Sequence, residues 1–213
     1  MSVEENLRAV RQRIERAGRN PNEVTIVAVT KGFGPDVCRG ALQAGLQVLG
    51  ENRVHEALTK MSEVEGAQWH LIGHLQTNKA RLAAGRFQLI QSVDSLRLAE
   101  HIARIASTQP VLIEVNVSRE PQKSGVVPEE TVAVASEVAK QLDLRGLMAI
   151  GPSHGDPTPA FAELARLRDD AQERIGRALP VLSMGMSGDF EAALRAGSTM
   201  LRLGQVLFGP RPA

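Results

Sequence analysis

Eight short apolar runs, separated by segments of helical character, constrain the fold of this chain more than any other feature of its sequence. They cover 24–30, 46–49, 69–72, 87–93, 111–117, 144–150, 181–184 and 200–203, and they read as strands. The segments between them carry helix signals. Asp36 is placed to cap a helix over 37–44 that Gly45 stops, and a helix over 75–84 ends before Gly85. Asp94-Ser95 precedes Leu96, Leu98, Ala99, Ile102 and Ile105. Pro128 fits the first turn of a helix through Gln141, with Glu129 and Glu130 favourable to its dipole. Phe161, Leu164, Leu167 and Ala171 share one helical face, and Ser187 or Asp189 caps a helix over 190–196.

Strand then helix, repeated, implies a parallel sheet. Eight such units close into a (β/α)8 TIM barrel, and 213 residues fall in the range of that fold. The alternative, a doubly wound open sheet, rarely needs eight equal units, and no Gly-x-Gly-x-x-Gly follows the first strand. Leu7, Val10 and Ile14 give an extra N-terminal helix its apolar face, with its arginines on the solvated side. The segment Gly151-Pro152-Ser153-His154-Gly155-Asp156-Pro157-Thr158-Pro159 lies between a predicted strand and helix, so it reads as a surface loop rather than a linker. The expectation is one domain over 1–213.

Composition removes several classes of function. Basic and acidic side chains nearly cancel, leaving net +1, and no block of like charge suggests nucleic acid or a membrane surface. The stretch Met1-Ser2-Val3-Glu4-Glu5-Asn6 lacks an apolar signal core, and no run approaches membrane-spanning length, so a cytoplasmic protein is expected. Cys38 is the only cysteine, which excludes an intramolecular disulfide and a cysteine metal cluster; among Val37, Ala41 and Leu42 it reads as a small buried hydrophobe. No metal site is expected. There is no tyrosine, so no mechanism can draw a tyrosine acid or base from this chain.

In a barrel, the C-terminal ends of the strands converge on the active-site face. The first strand ends in Lys31, followed by Gly32-Phe33-Gly34-Pro35. A lysine there must reach solvent, find a partner, or act as an amine toward carbonyls. At the seventh and eighth ends, Ser183-Met184-Gly185-Met186-Ser187-Gly188-Asp189 and Leu201-Arg202-Leu203-Gly204-Gln205 run from strand to helix. Barrels often bind phosphate at these two loops, where glycines let backbone N–H groups approach an anion and Ser187 adds a hydroxyl. The same glycines and serine could equally make turns and a cap. Arg202 interrupts an apolar strand and needs compensation, either from an ion pair with Glu51 or another acid at the mouth, or from a ligand. An amine and a phosphate cup facing one opening suit a phosphorylated aldehyde. A sugar phosphate, in an aldolase, and pyridoxal 5′-phosphate (PLP) are the two chemically sensible ligands.

Further motifs carry a resemblance over nearly the whole chain. They are Val27-Ala28-Val29-Thr30-Lys31, Gly50-Glu51-Asn52-Arg53-Val54-His55-Glu56, Trp69-His70-Leu71-Ile72-Gly73-His74-Leu75-Gln76-Thr77-Asn78-Lys79, Asn116-Val117-Ser118 and Lys123-Ser124-Gly125. Arg145-Gly146-Leu147-Met148-Ala149-Ile150, Ser183-Met184-Gly185-Met186-Ser187 and Gly197-Ser198-Thr199-Met200-x-Arg202-x-Gly204 complete the set. Together they resemble the PLP homeostasis proteins, fold-type III PLP-binding barrels similar to the alanine racemase N-terminal domain. The resemblance implies that Lys31 holds PLP as a Schiff base. It places Ser187 and the backbone around Gly204 and Gln205 on the phosphate, Arg202 against the pyridine nitrogen, and Asn52 along the ring. His70, Gly73 and Met148 are implied as pocket wall. Two departures stand out: Gly32-Phe33-Gly34-Pro35-Asp36, where relatives carry polar or basic residues, and a C-terminus soon after Phe208-Gly209-Pro210-Arg211. Lys123, in the Lys-Ser-Gly motif, reads as a solvated loop lysine, with a second reactive amine as the alternative.

The resemblance also bears on catalysis. Arginine at the pyridine nitrogen disfavours its protonation and weakens PLP as an electron sink. Racemases of this architecture work with such an arginine, but they pair the lysine with a tyrosine supplied by a partner subunit's second domain, and this chain shows neither. The expectation is therefore a protein, monomeric or a weak homodimer, that binds PLP and buffers, protects or delivers it to apoenzymes without turnover. The alternative is a PLP-dependent racemase-like enzyme using His70 or His74 as its second base.

Overall fold

The computed structural model describes residues 2–210; Met1 and residues 211–213, including Arg211 of the short tail, lie outside the described residues. The chain opens on α1 (Val3–Arg16), which begins with a reciprocal cap: Ser2 Oγ accepts from Glu5 N–H at 3.2 Å and Glu5 Oε2 accepts from Ser2 N–H at 2.8 Å. Leu7, Val10 and Ile14 are buried as expected. Its arginines are not all on the solvated side. Arg13 lies 4.2 Å over the Phe190 ring and pairs with Glu191.

Strand and helix then alternate: β1 (Thr25–Val29), α2 (Pro35–Gln43), β2 (Val48–Glu51), α3 (Val54–Met61), β3 (Gln68–Leu71), α4 (Ala80–Ala83), β4 (Leu89–Val93), α5 (Leu96–Ala103), β5 (Pro110–Glu114). The second half continues with α6 (Thr131–Ala139), β6 (Asp143–Met148), α7 (Thr158–Ile175), β7 (Val181–Ser183), α8 (Phe190–Arg195), β8 (Met200–Leu203) and α9 (Gln205–Phe208). The strands pair in chain order, all parallel, and β8 returns to β1 through Thr25↔Met200 to Ala28↔Leu203, closing the barrel. The eight predicted runs all hold strands. The second is displaced: 46–49 was expected, and the strand runs from Val48 through the buried Glu51.

Helix starts differ more. Gly34 occupies the N-cap of α2 and Pro35 its first turn, so Asp36 is not the cap; it pairs with Arg39 one turn on. The expected helix over 75–84 shrinks to a 3₁₀ turn over 77–79 and the single turn of α4. Pro128 opens a 3₁₀ turn ahead of α6.

Two apolar layers result. Val27, Leu89, Leu112, Met148 and Met200 form a small cluster inside the barrel. The larger core lies between strands and helices and contains Cys38, which is fully buried, as expected for a small hydrophobe. Gly146 is required where it stands. Its φ is +156°, and a Cβ there would lie 1.8 Å from Val181 O. It follows a bulge, since Leu144 pairs with Val111 and Gly146 with Leu112, leaving Arg145 between them.

Candidate functional site

The strand ends enclose a cavity of about 850 Å³. Lys31 stands on one wall, one residue beyond the Thr30 amide that donates to Gly50 O at 3.1 Å. Gly32 takes φ +76°, turning the chain sharply after the lysine. Behind this turn lies a buried charge cluster. Lys60 Nζ, from α3, donates to Glu51 Oε1 at 2.7 Å, Glu56 Oε1 at 2.8 Å and Thr30 O at 2.9 Å. Thr30 Oγ1 donates to Glu51 Oε1 at 2.6 Å, and Gly32 N–H to Glu56 Oε1 at 2.8 Å. Burial pulls the Lys60 ammonium down, but its bonds to Glu51 and Glu56 outweigh that and leave it raised, hence protonated.

Across the cavity lie the seventh and eighth loops. Ser187, Gly188, Gly204 and Gln205 line it. Ser187 Oγ accepts from Val206 N–H at 3.3 Å, tying the two loops together. Asp189 occupies the N-cap position of α8, one of the two expected, but its side chain makes no capping bond; its Oδ1 accepts from Met186 N–H at 2.6 Å and shapes the loop. A Cβ at Gly188 would meet nothing within 4 Å, and one at Gly204 would lie 3.3 Å from Val29 O. Backbone and hydroxyl donors with open approach, and no acid among the loop residues facing the cavity, suit a phosphate.

Arg202 also lines the cavity, 4 % exposed. Its Nη1 donates to Ser183 O at 2.8 Å and Ser183 Oγ at 2.7 Å, and its Nη2 to Ala149 O at 2.8 Å. The pairing considered with Glu51 does not form, because Glu51 is engaged by Lys60. Burial lowers the guanidinium to about 10, opposed by the charges of Glu114 and Asp189, and it stays protonated at neutral pH.

Of the remaining expected residues, Asn52 and Gly73 line the cavity, in contact with each other: a Cβ on Gly73 would stand 2.4 Å from Asn52 O. Met148 and His70 do not line it. Met148 belongs to the apolar cluster inside the barrel. His70 is 5 % exposed, and burial lowers its pKa to about 4, so it is neutral. Its Nδ1 lies 3.0 Å from Gln91 Nε2, whose amide oxygen accepts from Ser183 Oγ at 2.6 Å. His70 thus supports Arg202 from beneath through Gln91 and Ser183. His74 is the histidine at the mouth, its Nδ1 2.9 Å from Asp94 Oδ2. Lys123 is not a solvated loop lysine. It lines the cavity, pairs with Glu120 and donates to Gly151 O at 2.7 Å.

Sequence reasoning passed over Glu114, the last residue of β5, and Lys60. Glu114 is 6 % exposed and lines the cavity. Burial pushes its carboxyl up to about 7, against the pull of Arg202 and with a further rise from Asp94. An acid inside the run 111–117 was the available signal. Among the described residues no cluster of His, Cys, Asp or Glu has the makings of a metal site, and no helix is long and apolar enough to cross a membrane.

An amine, a two-loop anion cradle, a buried guanidinium and apolar walls from Val29, Phe33, Ile72 and Ile150 fit a phosphorylated aromatic aldehyde. The family described as "Alanine racemase, N-terminal domain" matches residues 2–212. The chain is 41% identical over 226 residues to the "Pyridoxal phosphate homeostasis protein" of Aquifex aeolicus, covering 99% of each. It is 42% identical over 223 residues to that of Pseudomonas aeruginosa, covering 99% of this chain and 96% of the relative. The structure of PipY of Synechococcus elongatus PCC7942 with PLP bound is 33% identical, with a TM-score of 0.86 over 98% of this chain and 100% of that one. Alanine racemase from Corynebacterium glutamicum, 19% identical, shares the fold with a TM-score of 0.80 over 99% of this chain and 61% of its own. With its full length matched at this identity, the chain belongs to the alanine racemase N-terminal-domain family and, within it, stands with the pyridoxal phosphate homeostasis proteins.

Proposed function

We infer that this protein binds PLP through Lys31 and serves in PLP homeostasis, buffering, protecting or delivering the cofactor to PLP-dependent apoenzymes. PLP supplies an aldehyde that condenses with amines and a ring that can withdraw electrons. The chain's residues divide the work of holding it. Lys31 provides the amine. Ser187 and the N–H groups around Gly204 and Gln205 take the phosphate, where each charge-assisted bond contributes ~1.5–3 kcal/mol. Arg202, clamped by Ser183 and Ala149, keeps a cation against the ring nitrogen and Asn52 lines the ring. The observation that carries the non-catalytic reading is the lack of any tyrosine in the sequence, which leaves Lys31 without the second base that racemases of this architecture set opposite it; Arg202, clamped by three bonds, weakens the ring as an electron sink but does not by itself separate the two readings.

One observation favours a second reading, a PLP-dependent racemase-like enzyme. His74 is oriented by Asp94 at the cavity mouth, as a general base would be. His70, neutral and buried beneath Arg202, is not placed for that role. Feeding amino acids to the PLP-loaded protein separates the two. The homeostasis reading predicts no sustained racemisation, transamination or decarboxylation. Robust turnover that disappears in His74→Ala would overturn it in favour of the enzyme.

A further inference from the structure

We propose that Glu56 and Lys60 of α3 are positioning residues for Lys31, locking the two peptide groups on either side of it so that its amine is presented to the cavity in one orientation. The inference rests on the reading of Lys31 as the PLP-holding amine. Both flanks of the lysine are held from outside the cavity. The carbonyl before it, Thr30 O, accepts from Lys60 Nζ at 2.9 Å, and the N–H after it, on Gly32, donates to Glu56 Oε1 at 2.8 Å. One carboxylate oxygen joins the two restraints, because Glu56 Oε1 also accepts from Lys60 Nζ at 2.8 Å. Glu51 completes the lock by accepting from Lys60 and from the Thr30 hydroxyl on its Oε1, while its Oε2 is buried without a hydrogen-bond partner among the described residues.

The turn needs such a lock. Gly32 stands at φ +76° and is among the residues most free to leave that conformation. A glycine hinge next to a reactive lysine would otherwise let the amine sample many positions, and each additional orientation lowers the effective concentration of amine at the aldehyde. Glu56 and Lys60 lie four residues apart on one helix face, which brings both side chains to the same turn. Lys60 is 4 % exposed, while the Glu56 side chain keeps 28 % exposure, so Glu56 can be altered without emptying the core.

The test uses the full-length protein as Glu56→Ala, Glu56→Gln and Lys31→Ala, with PLP as the probe. Three quantities are read: hydrogen exchange of the Gly32 amide without PLP, the PLP dissociation constant by equilibrium dialysis, and the thermal midpoint. Glu56→Ala removes the bonds from Gly32 and Lys60 together; it should speed Gly32 exchange and weaken PLP binding about fivefold, the effect of about 1 kcal/mol of lost restraint, with a smaller change in the midpoint than in binding. Glu56→Gln keeps an oxygen for both Gly32 and Lys60 and should restore binding and protection. A role confined to stability would lower the midpoint of Glu56→Ala without the rescue pattern in binding. Unchanged PLP affinity in Glu56→Ala, with Lys31→Ala defective, would overturn the lock alone. Unchanged affinity in Lys31→Ala would overturn the underlying reading and the lock with it.

Discussion

Glu114 is the carboxyl that lines the cavity among the described residues, and it gives a pH signature at the scale of a single residue. Its folded pKa of about 7 stands above the ordinary 4.5 because burial penalises the charged form. A raised acid binds its proton in the folded state when the unfolded chain has lost it. Its contribution to stability is therefore intact below about pH 4.5 and is lost as pH rises through about 7. Glu114→Gln removes that loss. The variant should gain on the order of 2 kcal/mol over the parent between pH 4.5 and pH 8, measured as the difference between their denaturant unfolding free energies across that range. A constant difference would mean that Glu114 does not titrate in the window. At this scale the sequence was informative about residue type and less so about direction. Lys31, Ser187, Gly204 and Gln205, read from the strand ends, and Asn52, implied by the resemblance, all line the cavity. His70 and Met148 do not, because the pleat turns their side chains into the barrel below the cavity, and a shift of one residue reverses the face. Lys60 looked like any charged helical residue. Only the fold brings Glu51 and Thr30 to its ammonium.

Among the elements, strands were read more reliably than helix starts. Each strand is an apolar stretch buried between barrel interior and helices, a property written in composition. Helix starts depend on which short polar residue captures a free N–H, and in α2 the combination of Gly34 and Pro35 set the start two residues earlier than Asp36 suggested. The bulge in β6 was not visible in Asp143-Leu144-Arg145-Gly146, because the need for glycine arises from Val181 on the neighbouring strand. Gly146→Ala must displace that strand or give up the +156° conformation. A loss of at least about 2 kcal/mol in denaturant unfolding is expected. An alanine variant as stable as the parent would show that the β6–β7 contact is looser than the structure has it.

Over the whole molecule, closure is what makes the site. Lys31 and Arg202 lie at opposite ends of the sequence, yet β8 pairs with β1 through Val27↔Arg202, so the amine and the guanidinium share one mouth. The repeated strand–helix alternation made that closure legible in advance. The charge lock behind Lys31 and the hydrogen-bonded support of Arg202 through Ser183, Gln91 and His70 were not, because the first joins β2, α3 and the turn after β1, and the second joins four strands. We propose that this mouth holds PLP on Lys31. Borohydride reduction of the PLP-treated protein followed by peptide mass mapping tests it directly. A pyridoxyl group on the peptide containing Lys31, and its loss in Lys31→Ala, is the predicted result; labelling mainly on another lysine, such as Lys123, would contradict it.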